Sequence, residues 1–148
     1  MARLALVVDD SMLIRHTVCR FLEERGYTAE SATNGREALE LIKDRGLRPQ
    51  VVITDLVMPV MTGGEFIDRL KADASTAHIP IILLVSKRGS EPPAEAKHAV
   101  YVIYKDIEIL AQLELALALA TGKQAGTKRE KAKPRRKTRT RRKRRPGT

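Results

Sequence analysis

Along the first 122 residues, short continuous apolar runs alternate with stretches of helical period. Residues 4–8 are uniformly apolar and stop at Asp9, which predicts a first strand. From Ser11 to Arg25, Ile14, Val18, Phe21 and Leu22 recur at helical spacing, and Gly26 ends the pattern. Residues 27–32 read as a short edge strand. Asn34 followed by Glu37 is a capping-box pair that opens a helix reaching Asp44. Residues 51–53 are a β-branched run ending at Asp55. Thr62 and Glu65 repeat the capping pair, and Phe66, Ile67 and Leu70 form the apolar face of the helix that follows. Residues 79–85 predict a strongly apolar fourth strand. Ser90 with Pro92 and Pro93 suits a short helix start, because proline is tolerated in a first turn. Residues 99–104 predict a fifth strand and residues 106–121 a last helix.

The order is βα five times. Continuous apolar strands separated by helices imply an α/β fold, a doubly wound five-stranded parallel sheet covered on both faces. Such a sheet places its chemistry at the carboxyl ends of the strands, near the switch in strand order.

Charge divides the chain in two. It has 148 residues, 28 Lys+Arg and 18 Asp+Glu, a formal net charge of +10. Residues 123–148 hold 14 of the basic residues and one acid, Glu130, and so carry +13. Residues 1–122 carry −3. The chain is therefore a mildly acidic domain, 1–122, with a Lys/Arg-rich tail, 123–148. The tail has no aromatic residue and no apolar period, so it is expected to be disordered when free. Phosphate backbones are its natural polyanion, with acidic protein surfaces or anionic lipid as alternatives. The one cysteine, Cys19, cannot form an internal disulfide. No stretch has the length of a membrane span or the form of a secretory signal, and a cytoplasmic protein is expected.

The strand ends carry the chemistry. Strand one ends in Asp9 and Asp10, strand three in Asp55, strand four in Ser86 and strand five in Lys105. Three carboxylates in one crevice need a counter-ion or bound protons. A hard divalent cation with oxygen ligands, Mg²⁺, meets that need.

These residues resemble a known family. Asp9-Asp10-Ser11, the stretch from Asp55 through Met58-Pro59 and Met61 to Gly63, Ser86 and Lys105 look like the signatures of response-regulator receiver domains, the flavodoxin-like chemotaxis-regulator fold. The spacing fits as well, with Asp10 to Asp55 spanning 45 residues and Asp55 to Ser86 spanning 31. The resemblance implies a phosphoryl-accepting signalling module in a two-component phosphorelay, and not a turnover enzyme. Asp55 would be the phosphoacceptor, served by a sensor histidine kinase or phosphotransfer protein. Asp10 would bind Mg²⁺ directly, Asp9 directly or through water, with Asp55 and the Val57 backbone carbonyl completing the protein ligands. Lys105 would pair with the phosphoryl oxygens, and Ser86 would hydrogen-bond the phosphoryl group and draw its loop inward.

The chain departs from the family pattern in four places. Lys87 and Arg88 follow the hydroxyl where a small residue is usual. Asp106 follows Lys105 where proline is usual; it can cap the last helix or compete for Lys105. Val102 stands where the family has an aromatic, flanked by Tyr101 and Tyr104. The interval from Ser86 to Lys105 is 19 residues, which predicts a stunted fourth helix. These departures keep a second reading open, a phosphorylation-independent pseudo-receiver that binds nucleic acid or acts as a scaffold. A metal-dependent phosphatase is disfavoured, since Val57 stands where such enzymes place a general acid. On the last helix, Ile107, Leu110, Leu113 and Leu117 are predicted to face the core. Leu115 and Leu119 fall opposite, which suggests a homodimer or a docked partner.

Overall fold

The computed structural model describes residues 3–86 and 92–122. The predicted tail, 123–148, lies outside them, as do Lys87, Arg88 and Ser90. The elements are β1 (Arg3–Val8), α1 (Met12–Glu23), β2 (Tyr27–Ala32), α2 (Gly35–Lys43), β3 (Val51–Asp55), α3 (Gly63–Ala72), β4 (Ile81–Val85), a 3₁₀ turn (Ala94–His98), β5 (Tyr101–Tyr104) and α4 (Ile109–Thr121). The strands form one parallel sheet in the order β2-β1-β3-β4-β5. This is the doubly wound, flavodoxin-like order, and its direction reverses at β1 and β3.

Strand parity sorts the core into two layers. Ala5, Val7, Val51, Ile53, Ile82 and Leu84 face α1 and α4. Leu6, Val8, Val52, Ile81 and Leu83 face α2 and α3. Both faces are buried, so the central strands are apolar at successive positions and read as runs.

The structure shifts several predicted boundaries. Helix α1 closes at Glu23, ahead of Gly26 at φ +88°. The β4 ladder begins at Ile81 because Pro80 has no N–H to give. Thr62 and Glu65 close a reciprocal capping box. The Asn34 box closes only halfway: its side chain accepts from Glu37 N at 2.9 Å, but the Glu37 carboxylate bonds Thr33 N and Oγ1 instead.

The last helix is corrected more substantially. It begins at Ile109, and its N-cap is Glu108, with no side-chain cap. Asp106 is exposed and does not cap it. Gln112 ties the helix down instead, accepting from Tyr104 N at 2.9 Å and donating to Tyr104 O at 2.8 Å. The buried stripe is Leu113, Ala116 and Leu117, with Ile109 and Ala120 packed beside it. Ile107 and Leu110, predicted to face the core, are exposed, as are Leu115 and Leu119. A helix apolar nearly all round has no single periodicity to read, so the late start decided the face.

The segment before β5 is short, as expected. Pro93 precedes a single 3₁₀ turn.

Candidate functional site

The reversal of strand order opens a crevice between β1 and β3, and the acidic residues lie there. Asp9 extends β1 by one bond, from its N–H to Ala32 O at 3.1 Å, and is fully buried. Its Oδ1 accepts from Ser11 N at 2.8 Å, and Ser11 Oγ in turn caps α1 by accepting from Ile14 N at 3.2 Å. Asp10, next along, is exposed. Asp55 is the last residue of β3 and is 4% exposed. Carboxylate oxygens of Asp9, Asp10 and Asp55 lie within 4.8 Å of one another.

Lys105, one residue past β5, reaches across. Its Nζ is 2.7 Å from Asp9 Oδ2 and 3.3 Å from Asp55 Oδ1. Beyond this ion pair, buried Asp9 Oδ2 has no hydrogen-bond partner among the described residues. A buried carboxylate oxygen held only by the Lys105 ion pair, among three acids in an all-oxygen donor set, fits a hard cation.

The charges shape one another. Burial, and then the Asp9 carboxylate, push the Asp55 carboxyl above its ordinary range, against Lys105 and the Leu56 N–H. Burial alone would depress Lys105, but Asp9 and then Asp55 more than offset it and hold the ammonium above its usual pKa. Asp55 Oδ1 accepts from Leu56 N at 2.9 Å. No hydrogen bond fixes its Oδ2 among the described residues.

The loop after β3 is shaped by sterics. A Cβ on Gly63 would lie 2.1 Å from Asp55 O, so only glycine lets α3 start beneath the phosphoacceptor candidate. Gly63 N bonds Leu56 O at 2.9 Å and locks that approach. Val60 takes φ +70°, with Met61 N bonded to Pro59 O at 2.7 Å. A γ-turn with positive φ at a β-branched residue is strained. Sequence reasoning missed this turn, because valine carries no turn signal. Val57 is exposed beside it.

Ser86 follows β4 directly and is exposed. No hydrogen bond joins it to Asp55 among the described residues. Asp106 forms no ion pair with Lys105 among those residues, and all of their peptide bonds are trans. The β4–β5 register is continuous, with Val102 opposite Leu83, so no shift brings an aromatic to that position. Val102 packs with the α2/α3 layer and Tyr101 with the other.

The chain is similar to known proteins. The model of the response regulator receiver domain matches residues 5–116. Protein PilH of Pseudomonas aeruginosa is 36% identical over 87 residues, 59% of this chain and 69% of PilH. Two-component response regulator ORR3 of Oryza sativa is also 36% identical over 85 residues, 57% of this chain and 63% of its own length. The chain therefore spans under two thirds of ORR3. Among solved structures, chemotaxis response regulator CheY4 of Vibrio cholerae superposes with a TM-score of 0.70 at 33% identity, covering 80% of this chain and 99% of that one. Response regulator TrrA of Thermotoga maritima, solved in complex with Mg(2+)-BeF, gives a TM-score of 0.67 at 28% identity, covering 79% of this chain and 98% of that one. Matched across most of its folded length, with its acids and lysine gathered at the strand ends, the chain belongs to the response-regulator receiver domain family.

Proposed function

We propose that this receiver is a phosphoryl-accepting switch in which Asp55 is the acceptor. The observation that carries the reading is the buried carboxylate of Asp55 with Lys105 Nζ at 3.3 Å and carboxylate oxygens of Asp9 and Asp10 within 4.8 Å. An Asp55 oxygen attacks the phosphorus of a phosphohistidine, the P–N bond breaks, and the imidazole leaves with the electron pair. Lys105 faces the oxygens of the incoming group. Asp9, Asp10 and Asp55, with the Val57 carbonyl, would hold Mg²⁺, which when bound supplies positive charge to those oxygens. Ser86 then bonds the phosphoryl group and draws its loop inward.

The partner is a sensor histidine kinase or a phosphotransfer protein. Met12, Leu13, Val57 and Val60 are exposed apolar residues at the acidic end of the sheet, a surface suited to docking one. The protein works as a signalling module in the cytoplasm and not as a turnover enzyme. Among the described residues no helix is long and apolar enough to cross a membrane. The +13 tail binds a polyanion, nucleic acid in this reading, and the exposed Leu115 and Leu119 support a homodimer through α4.

Incubation with acetyl phosphate, followed by intact mass, tests the switch. The reading predicts a phosphoryl adduct that requires Mg²⁺ and is lost in Asp55→Asn. The single 3₁₀ turn before β5, where a fourth helix would complete the pattern, favours the alternative of a phosphorylation-independent pseudo-receiver. In that case no adduct forms, and nucleic-acid binding is the same with or without phosphodonor.

A further inference from the structure

The two ends of the sheet carry opposite charge. The acids gather at the carboxyl ends of the strands. At the amino ends, a cleft of about 500 Å³ is lined by Arg3, Arg48, Gln50 and His78, with Ala120 and Thr121 from the last turn of α4. None of its lining side chains is acidic. The nearby Asp73, bonded to Ser75 in the cleft wall, is paired with Lys43 at 3.5 Å.

The cations of the cleft are not equally committed. Arg3 stacks on the Tyr27 ring at 4.6 Å and donates to Arg25 O at 2.8 Å. Arg48 is exposed and spends only Nη1, on the carbonyls of Ile42 and Leu47, each at 2.9 Å. Its Nη2 and Nε have no partner among the described residues. Those two N–H groups lie on one edge of the guanidinium and can grip two oxygens of a phosphate.

The cleft also adjoins the tail. Gly122 ends α4, so one residue separates Thr121 in the cleft wall from Lys123, where the +13 segment begins. Cleft and tail repel each other, so the tail is not the occupant of the cleft. A ligand that covers both must be a polyanion.

We propose that this cleft binds the phosphate backbone of a nucleic acid strand. The proposal rests on the reading of the tail as a nucleic-acid binder given above. A nucleic acid repeats its phosphates without interruption, which matches a series of 14 cations in 26 residues better than a mixed protein surface does. Tyr27, the aromatic in the cleft, is buried beneath Arg3 and offers no face for base stacking, so binding is sequence-neutral.

Fluorescence anisotropy of a labelled single-stranded oligonucleotide with the full chain, across a range of salt, tests this. Arg48→Gln is expected to weaken binding roughly two- to fivefold at low salt, the range of one exposed ion pair. It should also reduce the log–log salt slope by about 0.7. Gln50→Glu places a carboxylate in the cleft while leaving Arg48's bonds to the Ile42 and Leu47 carbonyls in place, and should weaken binding at least as much. Arg36→Gln makes the same charge change near the start of α2, outside the cleft, and should leave binding within twofold. If Arg48→Gln and Gln50→Glu bind like the unmodified chain, while replacing the eight tail arginines with glutamine abolishes binding, the tail binds alone and the cleft proposal fails. If the full chain fails to bind at low salt, the tail reading and the cleft proposal fall together. If polyglutamate of matched length binds more tightly and responds to the same cleft substitutions, the occupant is an acidic protein and the nucleic-acid proposal is overturned.

Discussion

Lys105 Nζ lies 2.7 Å from Asp9 Oδ2, closer than to Asp55 Oδ1 at 3.3 Å. The ammonium therefore lies nearer the buried Asp9 than Asp55 at the end of β3. Asp55 stays under-compensated, which is the direction of its raised pKa. Replacing Lys105 with methionine leaves the buried Asp9 without a counter-charge. The expected loss is about 3 kcal/mol at neutral pH, the cost of breaking a buried pair, read from urea unfolding. Mg²⁺ should recover part of that loss, and a variant as stable as the parent without Mg²⁺ would contradict the role given to Lys105.

Asp55→Asn should act in the opposite direction. An acid whose folded pKa is raised binds its proton more tightly in the folded state. Its folded form is then favoured in acid, and stability is lost as pH rises from the unfolded value, near 3.8, through the raised folded value. The neutral amide removes that loss. Asp55→Asn is therefore expected to melt higher than the parent at neutral pH without Mg²⁺, with the difference closing in acid. Melting curves at pH 3.5 and pH 7 decide it, and a destabilised Asp55→Asn at pH 7 would count against the electrostatics described here.

Mg²⁺ itself should reverse the ranking. A ligand at 100 times its Kd stabilises the form that binds it by about 2.7 kcal/mol. The parent should gain on adding Mg²⁺ and Asp55→Asn should gain less. Equal shifts in both would place the cation elsewhere.

Two backbone positions in the loop after Asp55 give opposite predictions. Gly63→Ala drives a methyl to within 2.1 Å of Asp55 O, and the loop must move or the helix start must break. A loss of about 3 kcal/mol is expected, together with loss of phosphorylation. Val60→Asn relieves a left-handed β-branched residue that is 71% exposed, and should gain about 1 kcal/mol. Thermal unfolding of the two variants separates them, and a neutral Gly63→Ala would refute the packing described for the loop.

Much of this was legible because the chemistry sits at the ends of apolar runs. Residues 4–8 and 51–53 could only be strands buried on both faces, so Asp9 and Asp55 had to emerge together at one edge. The role of Asn34 as a cap was readable, but not the choice of Glu37 to bond Thr33, because the S/T/D/N-x-x-E pattern does not say which amide the glutamate takes. The face of α4 was misread at Ile107 and Leu110, because leucine and alanine on every side leave the rotation to the Gln112–Tyr104 clasp. The turn at Val60 was invisible, since valine carries no turn signal. The amino-end cleft was equally hidden: Arg3, Arg48 and His78 are far apart in sequence and meet only through the strand starts.

The central claim is that Asp55 itself receives the phosphoryl group. Borohydride reduces an aspartyl phosphate to homoserine, so treating the phosphodonor-exposed, Mg²⁺-loaded chain with borohydride and sequencing its peptides by mass locates the acceptor. The account predicts homoserine at position 55 and at no other aspartate, and none when Mg²⁺ is chelated. Homoserine at Asp9 or Asp10, or none anywhere despite Mg²⁺ and donor, would contradict it.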